Sequence, residues 1–295
     1  MTTAVRTLSR TDPRALLGEA ALVETFEVSY PSPVHGNRIW LRKSPMKTEF
    51  QEPVEFNYST TPVYSASTYT DSWGNPVILF SRSVPHETMK IELRSRVKLF
   101  RETYAPSDAD EMSIIAWQNK KRAPDLEQFE NESGKVILDG VTRRIAQSIL
   151  KNSSGKWGNT VSAMRQWVHT QIRYRSGVTE SHTDSSGPLR MREGVCQDLT
   201  HVFLSLVRSA GIPARYVGGY QLNGTEMHSW AEVYFSDGTW RTYDPTEDKD
   251  DLPKIIVSRG RDYLDSRPVQ GSFRSAGGTS EMKSVISVKW METKK

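Results

Sequence analysis

The segment Glu193-Gly194-Val195-Cys196-Gln197-Asp198-Leu199-Thr200-His201-Val202-Phe203-Leu204-Ser205-Leu206-Val207 contains the only cysteine of this 295-residue chain. Val195, Leu199, Val202, Phe203, Leu206 and Val207 recur at helical spacing, and Gly211 and Pro213 follow as a glycine cap and a proline stop. The spacing predicts a helix that begins near Val195. A lone thiol can make neither an intramolecular disulfide nor a CxxC metal knuckle. At a helix start it meets unpaired backbone N–H groups and the positive end of the helix dipole, and both favour a thiolate. The same N–H groups can receive negative charge that develops on a substrate carbonyl oxygen.

Downstream, Ala214 to Gln221, Ser229 to Phe235 and Thr239 to Tyr243 read as strands, with Ser236-Asp237-Gly238 as a hairpin turn between the last two. His228 and Asp244 flank this hairpin. Nucleophile, base and orienting carboxylate thus occur in the order Cys196, His228, Asp244, which suits thiol catalysis. A two-residue Asp237-Gly238 loop would set His228 opposite Glu247, so a wider turn or a bulge is expected to bring Asp244 to the imidazole. For the oxyanion, the candidates beside the Cys196 backbone N–H are Tyr174 and the Gln197 side chain. His201 lies five residues after Cys196, roughly 140° around the helix, and is expected to be structural.

Upstream, Val23 to Tyr30, Val54 to Tyr58, Pro76 to Phe80 and Met89 to Leu99 are short runs rich in β-branched and aromatic residues. Pro31-Ser32-Pro33, Gly36-Asn37 and Trp73-Gly74-Asn75-Pro76 punctuate them. They predict a β-sandwich-like N-terminal domain over residues 1–105, with the change of character after Tyr104-Ala105-Pro106. Residues 106–295 are expected to form the catalytic core, with a helical lead-in and closing strands that end in Ser284 to Trp290. Within the lead-in, Val136, Ile137, Val141, Ile145 and Ile149 suggest one helix and Asn159 to Ile172 a second. Arg175 to Leu189 reads as a loop.

The chain is 36% hydrophobic and 25% charged, with a formal charge of +4. Neither a basic patch with interleaved aromatics nor a membrane-length apolar run occurs, so nucleic acid and membrane are not expected partners. One cysteine without an apolar leader in Met1 to Arg10 points to a reducing cytoplasm.

Four ordered motifs carry a resemblance. Gly194-Val195-Cys196-Gln197-Asp198, Gly211-Ile212-Pro213-Ala214-Arg215-Tyr216-Val217, His228-Ser229-Trp230-Ala231-Glu232-Val233-Tyr234 and Tyr243-Asp244-Pro245-Thr246 together resemble the bacterial transglutaminase-like superfamily. Gly260-Arg261-Asp262-Tyr263 is similar to that family's C-terminal element, and Asp71-Ser72-Trp73-Gly74-Asn75 with Pro85-His86 to its companion β domain. The resemblance implies an α+β, papain-like transglutaminase core with a Cys196, His228, Asp244 triad and neither metal nor cofactor. It implies acyl transfer from a peptide, amide, ester or acyl-thioester substrate, carrier-protein-bound donors included. The thioester on Cys196 would end on water or on an amine acceptor. Ser229, Glu247, the short stretch from Tyr220 to His228 and the Gly187-Pro188 pair depart from the family pattern. They bear on substrate choice more than on the triad. The alternative reading is a non-catalytic binding or scaffold protein that keeps the fold, and a rapidly alkylated thiol would separate the two.

Overall fold

The computed structural model describes residues 15–102, 108–118, 124–180, 182–247, 253–275 and 280–291. The leader stretch Met1 to Arg10 and the Tyr104–Pro106 boundary lie outside them. Five strands open the chain: β1 (Leu16–Leu41), β2 (Gln51–Thr61), β3 (Ser65–Thr70), β4 (Pro76–Arg82) and β5 (His86–Phe100). Three short helices follow, α1 (Asp108–Glu111), α2 (Ile114–Gln118) and α3 (Pro124–Glu127), then the longer α4 (Gly140–Asn152) and α5 (Trp157–Gln171). The remaining elements are β6 (Arg173–Tyr174), α6 (Ser186–Met191), β7 (Glu193–Gly194), α7 (Cys196–Ser209), β8 (Ala214–Gln221), β9 (Met227–Tyr234), β10 (Trp240–Tyr243), β11 (Lys254–Gly260), β12 (Val269–Arg274) and β13 (Glu281–Trp290).

Strand β1 organises the N-terminal region. Its first half, Ala20 to Ser29, runs between β5 and β13, and its second, around Arg38 to Leu41, between β4 and β12. The exchange of partners falls at Pro31-Ser32-Pro33, where the β1–β5 register breaks between Ser29 and Val34. Proline has no N–H to donate, so a ladder ends most cheaply there. The prolines thus redirect one long strand instead of separating two. The result is a single connected seven-stranded sheet, order β2-β5-β1-β4-β3 with β12 and β13 also on β1. Phe26, Val28, Val34, Ile39, Phe80 and Ile91 from both halves of β1 and from its neighbours share one core. The span 106–295 therefore sends its last two strands back to the sheet in which the chain began.

The second sheet, β10-β9-β8-β11, packs one face against α7 through Ala214, Tyr216, Ala231 and Val233. Helices α4 and α5 also pack on α7, and Thr200 and His201, which contact β9 and Tyr216 of β8, are buried with Leu204, Ser205 and the expected apolar stripe. A helix enclosed all round loses the amphipathic contrast of a surface helix. Helix α4 starts later than its apolar spacing suggests. Asp139 Oδ1 accepts from Val141 N and Thr142 N at 2.8 Å each, and this N-cap leaves Val136 and Ile137 outside the helix. The expected loop from Arg175 to Leu189 ends inside a helix, the short α6.

The N-terminal sheet clamps the edge strand β11. Gln51 Oε1 accepts from Ile256 N at 2.8 Å, and its Nε2 donates to Ile256 O at 2.9 Å. Asn75 repeats the arrangement on Arg259, with bonds of 2.7 and 2.8 Å. These two amides stand in for a neighbouring strand and satisfy an otherwise bare sheet edge. No helix among the described residues is long and apolar enough to cross a membrane.

Candidate active site

Cys196 is the first residue of α7, half-buried and outside any disulfide. Asp198 folds back over the helix start: Oδ2 accepts from Val195 N at 2.9 Å and from Thr179 Oγ1 at 2.6 Å. That satisfies the N-cap N–H and leaves the N–H groups of Cys196 and Gln197 without intrahelical carbonyls. Gly194 makes this cap fit. A Cβ there would lie 2.6 Å from the Asp198 Cβ and 2.9 Å from its Oδ2. The glycine serves a close approach of the Asp198 side chain to the backbone.

His228 stands near the start of β9. Its Nε2 donates to Asp244 Oδ2 at 2.7 Å, which leaves Nδ1 for the sulfur side. The Cys196 side chain acts on the same ring and favours its protonated form. All three expected residues are therefore brought together. The wider turn expected from the sequence is present, and it changes the register by a single residue. Phe235 N bonds Thr239 O and Gly238 N bonds Phe235 O, so the loop is Ser236–Gly238. Tyr243 then pairs with Ala231, where a two-residue loop would have paired it with Glu232. Asp244 continues opposite Trp230, two positions from His228 on the same face, and reaches the imidazole as a diagonal neighbour. A one-residue change of register is enough.

The pair is sealed from behind. The Trp230 indole, 1% exposed, stacks on the imidazole with ring centres 6.0 Å apart. Gly219, opposite His228, admits that indole, since a Cβ there would meet Trp230 at 2.7 Å and the Ile255 carbonyl oxygen at 2.0 Å. Asp244 Oδ1 accepts from Thr246 N at 3.0 Å. Oδ2 is shared with Lys254 Nζ at 3.3 Å, and this ammonium lies 5.8 Å from the Trp230 ring centre. Arg165 Nη1 donates to the main-chain oxygens of Asp244 and Glu247, bracing the turn.

Burial alone would lower the imidazole's proton affinity. The Asp244 hydrogen bond, then the Cys196 hydrogen bond and the two negative charges, outweigh it and push His228 up to about 9. Burial would raise the Asp244 carboxyl, but the His228 hydrogen bond and charge, with Lys254 adding, hold it below the usual carboxylate range. The arrangement can therefore keep an imidazolium beside the sulfur at neutral pH.

Of the two oxyanion candidates, Tyr174 pairs across β6 and β7 with Gly194, two residues before the thiol. Its phenol is pushed up by partial burial and then by the Cys196 charge. Gln197 occupies the first turn of α7 and is half-buried. A second phenol was not anticipated. Tyr216, fully buried in β8 against α7, is raised by burial and by the Cys196 charge. His201 is structural as expected: its Nε2 accepts from Tyr263 N at 3.2 Å, its ring stacks on Tyr216, and burial pushes it down to about 3.

Sequence reasoning missed Lys254, Trp230 and Tyr216. Trp230 and Tyr216 stood inside quoted motifs without a role of their own. Lys254 follows a run of charged residues and carries no local signal. A cavity of about 710 Å³ opens between the two sheets, lined by Trp230, Lys254, Gln51, Arg215 and Trp240 among others. Its lining includes neither Cys196 nor His228, so it touches the site only through Trp230 and Lys254. Of the departures from the family pattern, Ser229 is buried, and Glu247 Oε1 accepts from Gln221 Nε2 at 3.1 Å.

Comparisons agree with this architecture. The sequence pattern of the transglutaminase-like superfamily matches residues 143–245, and that of the bacterial transglutaminase-like N-terminal region matches residues 22–98. An uncharacterized protein of Mycobacterium tuberculosis is 35% identical over 249 residues, 75% of this chain and 75% of its own length. One from Mycobacterium leprae is 29% identical over 265 residues, 85% of this chain and 91% of its own. The fold is that of a crystal structure from Cytophaga hutchinsonii described as a candidate cysteine protease. It has a TM-score of 0.77 at 19% identity, and the match covers 95% of this chain and 92% of that one.

Proposed function

We propose, from the premise that this chain belongs to the transglutaminase-like superfamily, that it carries out thiol-dependent acyl transfer on a peptide or amide, with Cys196 as nucleophile, His228 as general base and acid, and Asp244 as the carboxylate that orients the ring. The observation that carries the reading is the 2.7 Å bond from His228 Nε2 to Asp244 Oδ2 on a ring whose proton affinity the Cys196 side chain also raises. The sulfur attacks the acyl carbon, a C–S bond forms, and the carbonyl electrons move onto oxygen. That oxyanion falls to the backbone N–H groups at the start of α7, with the Tyr174 phenol as the second donor. Collapse breaks the C–N bond. The imidazolium gives its proton to the leaving amine and a thioester remains. The now neutral imidazole takes a proton from the second nucleophile, which attacks the thioester and returns the sulfur as thiolate.

Water is the proposed acceptor, which makes the protein a peptidase or amidase. An amine acceptor would turn the same intermediate into amide formation. The lone thiol remains the ground for proposing a cytoplasmic location. The test is intact-mass spectrometry after incubation with a panel of amide, ester and thioester donors, carrier-bound thioesters included. An acyl adduct on Cys196 that water discharges is expected. Discharge only by added amines would convert the reading to aminolysis, and no adduct from any donor would defeat it.

A further inference from the structure

We propose that Lys254 is a positioning residue for the catalytic pair: held on an edge strand that the N-terminal sheet clamps, its ammonium shares Asp244 Oδ2 with the imidazole and so limits how tightly the carboxylate holds the imidazolium. The inference deepens the function proposed above and rests on its assignment of His228 and Asp244.

The geometry is specific. One carboxylate oxygen faces two cations, His228 Nε2 at 2.7 Å and Lys254 Nζ at 3.3 Å, while the other oxygen is held by Thr246 N. The Lys254 side chain is 5% exposed and the Asp244 side chain is fully buried, so water screens neither. Lys254 has little freedom to leave. It pairs with Gln221 at the end of β11, and two residues on, Ile256 is gripped through its N–H and carbonyl by Gln51. Trp230 fills the space between, with the imidazole stacked on its ring and the ammonium near its centre. The N-terminal sheet thereby has a mechanical connection to the triad through Gln51, β11 and Lys254.

The remaining charges around the pair act from other directions. Cys196 approaches from α7. Tyr174 in β6 feels the charges of both Cys196 and Glu226, which lies just before β9. Glu247 lies past the Asp244 turn and is bonded by Gln221, and Arg165 from α5 reaches the main-chain oxygens of that turn. Lys254 is the cation seen directly on the Asp244 carboxylate oxygen that also serves the imidazole. A carboxylate relieved of one of two cations binds the other more strongly. Removing the ammonium should therefore make His228 keep its proton to higher pH.

The experiment is an NMR titration of the histidine rings in the full-length, isotopically labelled protein, with the His228 signal identified by its loss in His228→Gln. K254M and K254Q are expected to lose the His228 proton about one pH unit above the wild type, whereas K254R titrates with the wild type. Coincident titrations of wild type, K254M and K254Q would overturn the proposal, as would a K254R curve that follows the neutral variants. K254Q keeps a polar tip at the cavity wall, so a failure of K254M to fold leaves the test intact. Iodoacetamide alkylation of Cys196 in the wild type at neutral pH separates the two ideas. A sluggish thiol with the Lys254 shift present would defeat the acyl-transfer reading alone. A fast thiol with no shift would defeat the Lys254 proposal alone.

Discussion

Two clusters among the described residues bury a lysine against a carboxylate, and they have nearly the same parts. In one, Lys43 pairs with Glu24, with side chains 6% and 0% exposed, beneath the rings of Phe26 and Tyr220. In the other, Lys254 pairs with Asp244, 5% and 0% exposed, beside the ring of Trp230. The difference lies in the third partner. Tyr220 donates its hydroxyl to Glu24 at 2.5 Å, and Ser284 Oγ donates to the same carboxylate at 3.0 Å. Burial and then the Glu24 charge push the Tyr220 phenol far above its ordinary value, so it stays neutral. That cluster joins β1, β8 and β13, and it holds the two sheets together. At Asp244 the third partner is an imidazole that can gain or lose a proton near working pH and that feels the Cys196 side chain. A buried lysine–carboxylate pair is a clamp or part of a catalytic device according to what its remaining oxygen faces.

The comparison breaks most sharply under Cys196→Ala. Turnover of any donor found by the adduct panel should fall more than about a thousand-fold, with the melting temperature changed by no more than a few degrees. Glu24→Ala should do the opposite. It leaves Lys43 buried without its carboxylate and should cost about 3–5 kcal/mol in denaturant unfolding, while the folded fraction alkylates at Cys196 at nearly the wild-type rate. A Glu24→Ala protein of unchanged stability would remove the clamp from the account. Asp244→Asn should lower kcat roughly a thousand-fold with KM little changed, because the amide favours the wrong imidazole tautomer. An unchanged kcat would mean that another group orients the ring.

Smaller effects sharpen the contrast. Tyr174→Phe should reduce kcat by about a hundred-fold if its phenol is the second oxyanion donor, with stability unaffected. A rate near wild type would transfer that role to Tyr216 or Gln197. The last expectation concerns pH. His228 is raised above its unfolded value near 6.5 to about 9, so the stability it contributes is fully present below 6.5 and is lost as pH rises through 9. Asp244, held low, contributes above its ordinary value and loses that contribution as pH falls through its depressed one. Unfolding free energy should therefore decline between pH 6.5 and 9, and His228→Gln should flatten that slope. Tyr220→Phe should leave the slope as it is, because the phenol carries no proton change in this range.

How much of this was legible in the residues depends on how local each signal was. The start of α7, the strands of β9 and β10 and the order of thiol, imidazole and carboxylate are written in short-range patterns: a glycine before the cysteine, apolar spacing, a turn. The exact contact of His228 with Asp244 was not, because it depends on a single residue of hairpin register that Ser236-Asp237-Gly238 does not dictate. Strand β3 escaped because Ser65 to Thr70 is exposed on both faces and shows no alternation. Pro31-Ser32-Pro33 was read as an interruption, whereas β1 runs through it and changes neighbours. Strands β12 and β13 return across most of the chain to pair with β1, a contact that no local pattern encodes. Lys254 belongs to the same class: its role comes from the strand that Gln51 and Asn75 clamp, and these lie about 200 residues away in the chain.

The central claim is that sulfur and imidazole meet, with the carboxylate behind the ring. It is tested most directly by following the His228 ring by NMR from pH 5 to 11 in the wild type and in Cys196→Ala. The wild-type ring should hold its proton to about pH 9, and loss of the sulfur should bring that value down. Two superimposable curves, or a wild-type ring that titrates near 6.5, would show that the thiol and the imidazole do not share a site.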